Sequence, residues 1–482
     1  MLERLAALRR RADAALVARF IAEGATKALS IIAVIALTRL LTVDGFGVFS
    51  QVQALSAAVI PVVTLGLGFS VVRRIAGALA PDAIAGRLAT AGVMVAGMAA
   101  GVAATAWLAA PILAPLLLDI PQAASLLRCG VLLVAASAFQ SLALEALRAR
   151  QRAVAASALQ IGEAAAWLAG VGALTLSGLL DAAAVVLLLA GIRAAVAIVA
   201  IVHLIRREAL AGRRVHVAGR TEIRSALAIG LPFVIAGVGD ALLATADRLL
   251  IGATLGADMV GRYAAAQMLM TLLATWGAPF WWLLYPRLAA APDGAGARAA
   301  RQLLGGFMQW GVALVVALII AGTAVLPLIA GPGYEVPAAV IALLALAVFV
   351  HQAATPWEYA LYIADRATTL VWATFAWGLT AVGLTLLLLP LFGLAGAAAA
   401  ALLARLGFAA TVILVAARDG YGAGLLPSRA TALRVALATG TGLAVAGVAA
   451  WLAADHVALR AAGAFLVAYA ATVLVLPAGQ AR

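Results

Sequence analysis

Residues 182–206 read AAAVVLLLAGIRAAVAIVAIVHLIR, twenty-five positions in which Arg193 is the one charge away from the ends. At about 1.5 Å of rise per residue, a helix of this length exceeds the roughly 30 Å hydrocarbon thickness of a bilayer. It is too long for a strand and too apolar for a surface helix, so it reads as a membrane span. Runs of the same kind recur from Val17 to the C-terminus with short polar breaks between them. Their limits predict helices at 17–42, 45–70, 87–112, 122–147, 152–178, 182–206, 223–251, 257–287, 299–328, 336–363, 367–390, 393–417, 430–453 and 458–477. The fold class expected is an all-α polytopic membrane protein with fourteen transmembrane helices. Composition agrees: of 482 residues, 66% are apolar and 11% charged, far from the roughly one-quarter charged content of soluble domains.

The formal charge of +13 does not point to nucleic acid. Its basic residues are scattered between apolar runs, not clustered with exposed aromatics. Topology accounts for them. With the N-terminus inside, most of the basic residues fall on inside tails and loops, among them Arg73, Arg74, Arg148, Arg150, Arg152, Arg206, Arg207, Arg213, Arg214 and Arg220. Few (Arg39, Arg128, Arg248, Arg262 and Arg460) fall outside, so the positive-inside rule gives an N-in, C-in arrangement. Residues 1–16 alternate leucines and arginines as a cytoplasmic amphipathic helix would. The single Cys129 and the scattered His203, His216, His351 and His456 offer no metal cluster, and no phosphate-binding glycine loop follows a strand.

A repeat organises the spans. Arg39-Leu40-Leu41 recurs as Arg248-Leu249-Leu250. Gly47, Gln53 and Leu55 recur as Gly261, Gln267 and Leu269; Gln140 as Gln352; Arg152 as Arg366; Arg193 as Arg405; Arg206 as Arg418. Six helices separate equivalents, and six is even, so the halves share one orientation about a parallel pseudo-two-fold axis. The domains expected are a first six-helix lobe (17–206), a basic cytoplasmic linker (207–222), a second lobe (223–417), and helices 13 and 14 (418–482).

The stretches KALSIIAVIALTRLLTVDGFGVFS (27–50), GLGFSVVRRIA (66–76), ADRLLIGATLGADMVGRYAAAQ (246–267), GPGYEVPAAVIALLALA (331–347) and LLLLPLFGLAGAAAAALL (386–403) resemble the bacterial polysaccharide-transporter family. That family comprises lipid-linked oligosaccharide flippases of the O-antigen type, within the superfamily that also holds multidrug extruders and lipid II flippases. Thr385 stands where the family usually has an Asn or similar residue. The resemblance implies a two-lobed fold that alternates access across the bacterial inner membrane and moves an undecaprenyl-pyrophosphate-linked oligosaccharide from the inner to the outer leaflet. Membrane lipids, and a polymerase or export machinery, are the other partners it implies.

Such a substrate asks for cations and hydrogen-bonding groups within the membrane, where each ionisable residue is a functional hypothesis by default. Arg19 and Lys27 share one face of the first span with Glu23. Arg193 and Arg405 lie mid-span at repeat-equivalent places, where a planar guanidinium suits phosphate; Arg193 has the alternative of pairing with Glu163 on the adjacent span. Gln53 and Gln267 are equivalents that suit sugar hydroxyls. Asp240 and Asp247, seven residues apart on one face, are the candidates for coupling to a proton or sodium gradient; Asp247 has the alternative of a structural role beside Arg248. Trp276, Trp281, Trp282, Tyr285, Trp357, Tyr359 and Tyr362 read as an interfacial belt or as sugar-stacking platforms. No catalytic residue, cofactor or metal is expected. A membrane glycosyltransferase or ligase needs a sizeable outer loop that this chain does not offer. Lipid II flippase and multidrug cation exporter remain the alternatives within transport.

Overall fold

The computed structural model describes residues 24–68, 75–76, 80–117, 123–208, 210, 219–290, 295–420, 425–453 and 455–475. Among them are fourteen long helices and no strand. In chain order these are α1 (24–40), α2 (Val43–Thr64), α3 (Pro81–Leu117), α4 (Ala123–Ala149), α5 (Ala153–Leu176), α6 (Ala182–Arg207) and α7 (Arg220–Leu255). There follow α8 (Ala257–Ala290), α9 (Ala295–Ala330), α10 (Ala338–Ile363), α11 (Ala367–Phe392), α12 (Leu394–Arg418), α13 (Arg429–Leu452) and α14 (Val457–Val475). Twelve are long and apolar enough to cross a membrane. The other two are α1, described only from residue 24, and α8, whose apolar run is interrupted by Gln267, Gly277 and Pro279. The expected helix at 1–16, Arg19, Glu23, and the basic residues 73–74 and 213–214 lie outside the described residues.

Three helices begin where a short polar side chain occupies an orphan amide. Thr42 caps α2 by accepting from the Gly45 amide at 3.1 Å. Asp181 caps α6 through Ala184 at 2.7 Å, and Ser428 caps α13 through Thr431 at 3.1 Å. Within the spans, hydroxyls satisfy themselves on their own helix: Thr90 donates to the Gly86 carbonyl at 2.7 Å and Thr385 to that of Ala381 at 2.7 Å. A threonine on a buried face therefore leaves no unmet donor.

The chain divides into two compact units, Met1–Ala241 and Leu242–Arg482. In the first, α4 is central, packing on α2, α3, α5 and α6; α2 also meets α3 and α6, and α5 meets α6. In the second, α10 is central, packing on α8, α9, α11 and α12; α8 meets α9, and α11 meets α12. The pairs α2·α4, α3·α4, α4·α5, α4·α6, α2·α3 and α5·α6 each have a counterpart six helices on. α13 and α14 pack on each other and on α9, where the Tyr469 hydroxyl donates to the Gln309 carbonyl and Phe465 fills the space over Gly442.

Two turns repeat the correspondence in detail. After α4, the amides of Arg150, Gln151 and Arg152 donate to the carbonyls of Ala146, Arg148 and Leu147; after α10, those of Ala364, Asp365 and Arg366 donate to Ala360, Tyr362 and Leu361. Gln151 (φ 55°) and Asp365 (φ 58°) both adopt the left-handed conformation that closes a helix. Each turn is then tied to the end of a later helix by an ion pair. Arg150 and Arg152 hold Glu208 at 2.7 and 3.3 Å, and Arg366 meets Asp419 at 3.1 Å. The Arg150 hydrogen bond, with both guanidinium charges, holds the Glu208 carboxyl below the usual carboxylate range.

Small residues set how closely helices approach, because lipid offers no hydrophobic drive for one helix to seek another. Ala397, Ala398, Ala400, Ala401 and Ala404 are buried along α12. In the first unit the start of α7 lies against the end of α2. A Cβ on Gly66 (φ 60°) would stand 2.1 Å from the Gly230 carbonyl oxygen, and one on Gly230 2.2 Å from that of Leu65. Backbone meets backbone there, so neither side can yield. Gly230→Ala is expected to destabilise the protein by about 1–3 kcal/mol through overpacking, read as a lower melting temperature in detergent. Gly97→Ala, where a Cβ would meet nothing within 4 Å, is expected to melt as wild type or slightly higher.

Candidate functional site

Within each unit the intramembrane polar groups separate into those engaged with protein partners and those left over. In the first unit, the core packed around α4 carries a polar network linking α4, α5 and α6. Gln140 donates to Glu163 at 2.6 Å, Arg193 faces the other Glu163 oxygen at 3.5 Å, and Arg193 donates to the Ser137 hydroxyl at 2.6 Å. Ser137 and Gln140, one turn apart on α4, are buried. Arg193 is thus occupied by Glu163, the pairing that adjacency in sequence offers as its alternative. Gln53, half-buried on α2, forms no hydrogen bond among the described residues. Lys27 is half-buried on α1, and Asp240 is exposed on α7; both carry interactions of their own.

In the second unit, Asp247 on α7 is 6% exposed. One carboxylate oxygen accepts from the Tyr263 hydroxyl at 2.8 Å and from Gln267 at 2.9 Å, the other from the Arg248 amide at 2.8 Å. Tyr263 and Gln267 stand one turn apart on α8, so a single face of that helix supplies both side-chain donors. Three donors converge on a carboxylate in a water-poor setting, an arrangement that stabilises its charge yet leaves acceptor capacity for a small cation. Arg405, half-buried on α12, forms no hydrogen bond or ion pair among the described residues and lies within electrostatic reach of Tyr263 and His351. His351, one residue from Gln352, packs against Phe408 with its Nδ1 buried and without a partner.

Residues paired by the constant sequence offset therefore differ in use. Gln53 is uncommitted, whereas Gln267 serves Asp247. Gln140 serves Glu163, whereas Gln352 accepts from Trp281 at 2.8 Å and donates to the Ala274 carbonyl at 3.2 Å. Arg193 is paired and Arg405 is not. Of the aromatic residues, Trp281 and Trp357 are core residues at 5% and 4% exposure, while Trp276 and Tyr362 are exposed; the side chains of Trp282 and Tyr285 lie outside the described residues. Sequence reasoning missed Tyr263 and His351. Tyr263 was within reach of it, four residues before Gln267 on the face that meets Asp247.

Fourteen long helices in two units, twelve of them long and apolar enough to cross a membrane, with carboxylates and guanidinium groups inside the spans, define a multi-pass membrane protein. A family model of polysaccharide biosynthesis proteins matches residues 17–291, and the chain belongs to that family. Its fold is similar to that of a solved structure of the lipid II flippase MurJ in an inward closed conformation, with a TM-score of 0.77 at 9% identity over 95% of this chain and 98% of that one. It is also similar to an inward-facing multidrug resistance MATE family transporter of the MOP superfamily, with a TM-score of 0.62 at 14% identity over 83% and 95%. No curated protein sequence matches it.

Removing Arg193 alone leaves Glu163 inside the membrane with only a neutral partner, which is costly. Arg193→Ala is expected to lower the melting temperature, and adding Glu163→Gln to restore most of the loss. A double-mutant cycle should give a coupling of about 1–3 kcal/mol; additive losses would mean that the pair does not act as a unit.

Proposed function

We propose that this protein is a secondary-active flippase that carries an undecaprenyl-pyrophosphate-linked oligosaccharide from the inner to the outer leaflet of the bacterial inner membrane. The observation that carries this reading is the conjunction of a polysaccharide biosynthesis family model over residues 17–291 with a fold similar to a lipid II flippase. The solved structures it resembles are a flippase and a multidrug transporter, which favours movement of the lipid-linked glycan over its chemical modification.

The reading includes two six-helix repeats in one orientation, N-in and C-in, with α13 and α14 outside the repeat. Its support is the packing pattern that recurs six helices on and the matching turns at Gln151 and Asp365. Arg405, a half-buried guanidinium with no counter-ion among the described residues, suits a pyrophosphate oxygen, and Gln53, whose amide has no partner among them, suits a sugar hydroxyl. Lys27, and Arg19 one face-turn pair away by sequence, would meet the phosphate on the cytoplasmic side. Arg193, in this scheme, orders the first unit through Glu163. Gln267 acts through Asp247, holding its carboxylate.

Asp247 and Asp240 are assigned to coupling. A carboxylate that accepts three hydrogen bonds in one state and loses one when a helix shifts changes its affinity for a cation, so a gradient biases the states. Lipid II is the second substrate to test, favoured by the TM-score of 0.77.

Reconstituted in proteoliposomes, wild type is expected to flip a fluorescent undecaprenyl-pyrophosphate oligosaccharide faster when a proton or sodium gradient is imposed. Arg405→Ala should cost about ten-fold in initial rate, the worth of one charge-assisted hydrogen bond, and Asp247→Asn should abolish the response to the gradient. Transport of lipid II in preference to the oligosaccharide would replace the substrate; export of organic cations without either would overturn the reading.

A further inference from the structure

A second feature of the first unit lies away from these groups. A cavity of about 450 Å³, bounded by the last turns of α2 and α4, by α3 and by the early part of α7, falls within the roughly 300–1,000 Å³ of ligand sites. Glycines shape it. The backbone contact of Gly66 with Gly230 fixes the approach of α7, and Phe233, one turn on from Gly230, forms one wall. Gly68 leaves the space beside it to Glu145, whose Cγ would stand 3.2 Å from a Cβ there.

Its lining divides by chemistry. Ile60, Pro61, Val95, Leu142 and Phe233 are apolar, while Ser141, Glu145 and Arg148 recur at i, i+4 and i+7 along α4 and so present one polar face to the cavity. Arg148 Nη1 donates to Glu145 Oε1 at 2.5 Å. That bond uses one oxygen of the carboxylate and one nitrogen of the fork. The other Glu145 oxygen, the rest of the Arg148 guanidinium and the Ser141 hydroxyl have no partner among the described residues. Ser137, one turn earlier, instead donates to the Leu133 carbonyl of its own helix at 2.5 Å. An ion pair three residues apart and as open as this one, with side chains 27% and 45% exposed, contributes little to stability. The fold alone does not account for it.

We propose that this cavity is a carbohydrate subsite that takes one uncharged sugar residue of the glycan. A sugar hydroxyl both donates and accepts, which matches a carboxylate oxygen beside guanidinium N–H groups and a serine hydroxyl. The C–H face of a pyranose ring matches the apolar wall with Phe233. Charge decides against other ligands: the carboxylate repels a phosphate or a uronic acid, and the guanidinium repels an amine. The inference rests on the proposed function for joining this sugar to a lipid-linked glycan. Arg148 is followed by Arg150 and Arg152, so in the N-in arrangement the subsite lies at the cytoplasmic end, where the glycan is loaded.

The test is saturation-transfer NMR on the full chain in phosphatidylcholine nanodiscs. Glucose, galactose, mannose and N-acetylglucosamine are the neutral probes, and glucuronic acid and glucose 1-phosphate the charged ones. At least one neutral sugar is expected to bind about ten-fold more tightly than either charged probe. Ser141→Ala should weaken that sugar about five-fold, the worth of one neutral hydrogen bond. Glu145→Gln leaves Arg148 uncompensated, so it should reverse the preference and raise the affinity for glucuronic acid about ten-fold. Both variants are expected to melt as wild type, since the pair adds little to the fold. Binding of no neutral sugar, binding indifferent to both variants, or Glu145→Gln without a gain for glucuronic acid overturns the proposal. The oligosaccharide assay on the same preparations separates the two readings. Flipping without sugar binding at these residues overturns this inference alone, whereas sugar binding there without flipping supports the subsite and overturns the transport reading.

Discussion

Hydrocarbon offers no hydrogen bonds, and every feature of this protein answers to that constraint. Backbone amides and carbonyls must pair within their own segment, which is why the described residues form long helices joined by short turns. Side chains obey the same rule. Thr90 and Thr385 bond back to their own helices, Arg193 is matched by Glu163 and Ser137, and Asp247 collects Tyr263, Gln267 and a backbone amide. Each pairing removes a penalty that lipid would otherwise impose, and each also fixes which helices stand together.

A polar group left over under such a constraint carries more information than one that is paired. Gln53 and Arg405 are half-buried, within spans, and uncommitted among the described residues. Gln267 and Arg193, which the sequence offset pairs with them, have the same chemistry and are consumed by the fold. One residue of each pair thus stabilises its own unit while the other remains available. In the proposed function these are two separate tasks: the ordered carboxylate of Asp247 serves the cation, and Arg405 serves the anionic headgroup.

Helix positions were legible because bilayer thickness sets the length of an apolar run. The reading of 182–206 differs from α6, Ala182–Arg207, by one residue. The N-cap at Asp181 and the basic end at Arg206 and Arg207 explain that agreement. Site chemistry was less legible. Seven-residue spacing put Asp240 and Asp247 on one face, yet the first is exposed and the second buried, since helical phase says nothing of what packs against it. The signal for Tyr263 was its place four residues before Gln267, one turn away on the same helix face, and only the packing of that face on Asp247 gives it meaning. The two compact units meet at Ala241–Leu242, inside α7, because compactness follows packing, such as that of Gly230 on Leu65, and not the breaks in hydropathy.

The central claim, that uncommitted intramembrane groups face substrate and committed ones face protein, is tested most directly by water access. In a Cys129→Ala background, which removes the single native cysteine, single cysteines at Gln53→Cys, Arg405→Cys and Ser137→Cys would be treated in proteoliposomes with a membrane-impermeant thiosulfonate. The account predicts modification at positions 53 and 405, protection of both by lipid-linked oligosaccharide, and no reaction at 137. Reaction at 137 with silence at 53 and 405 would contradict it.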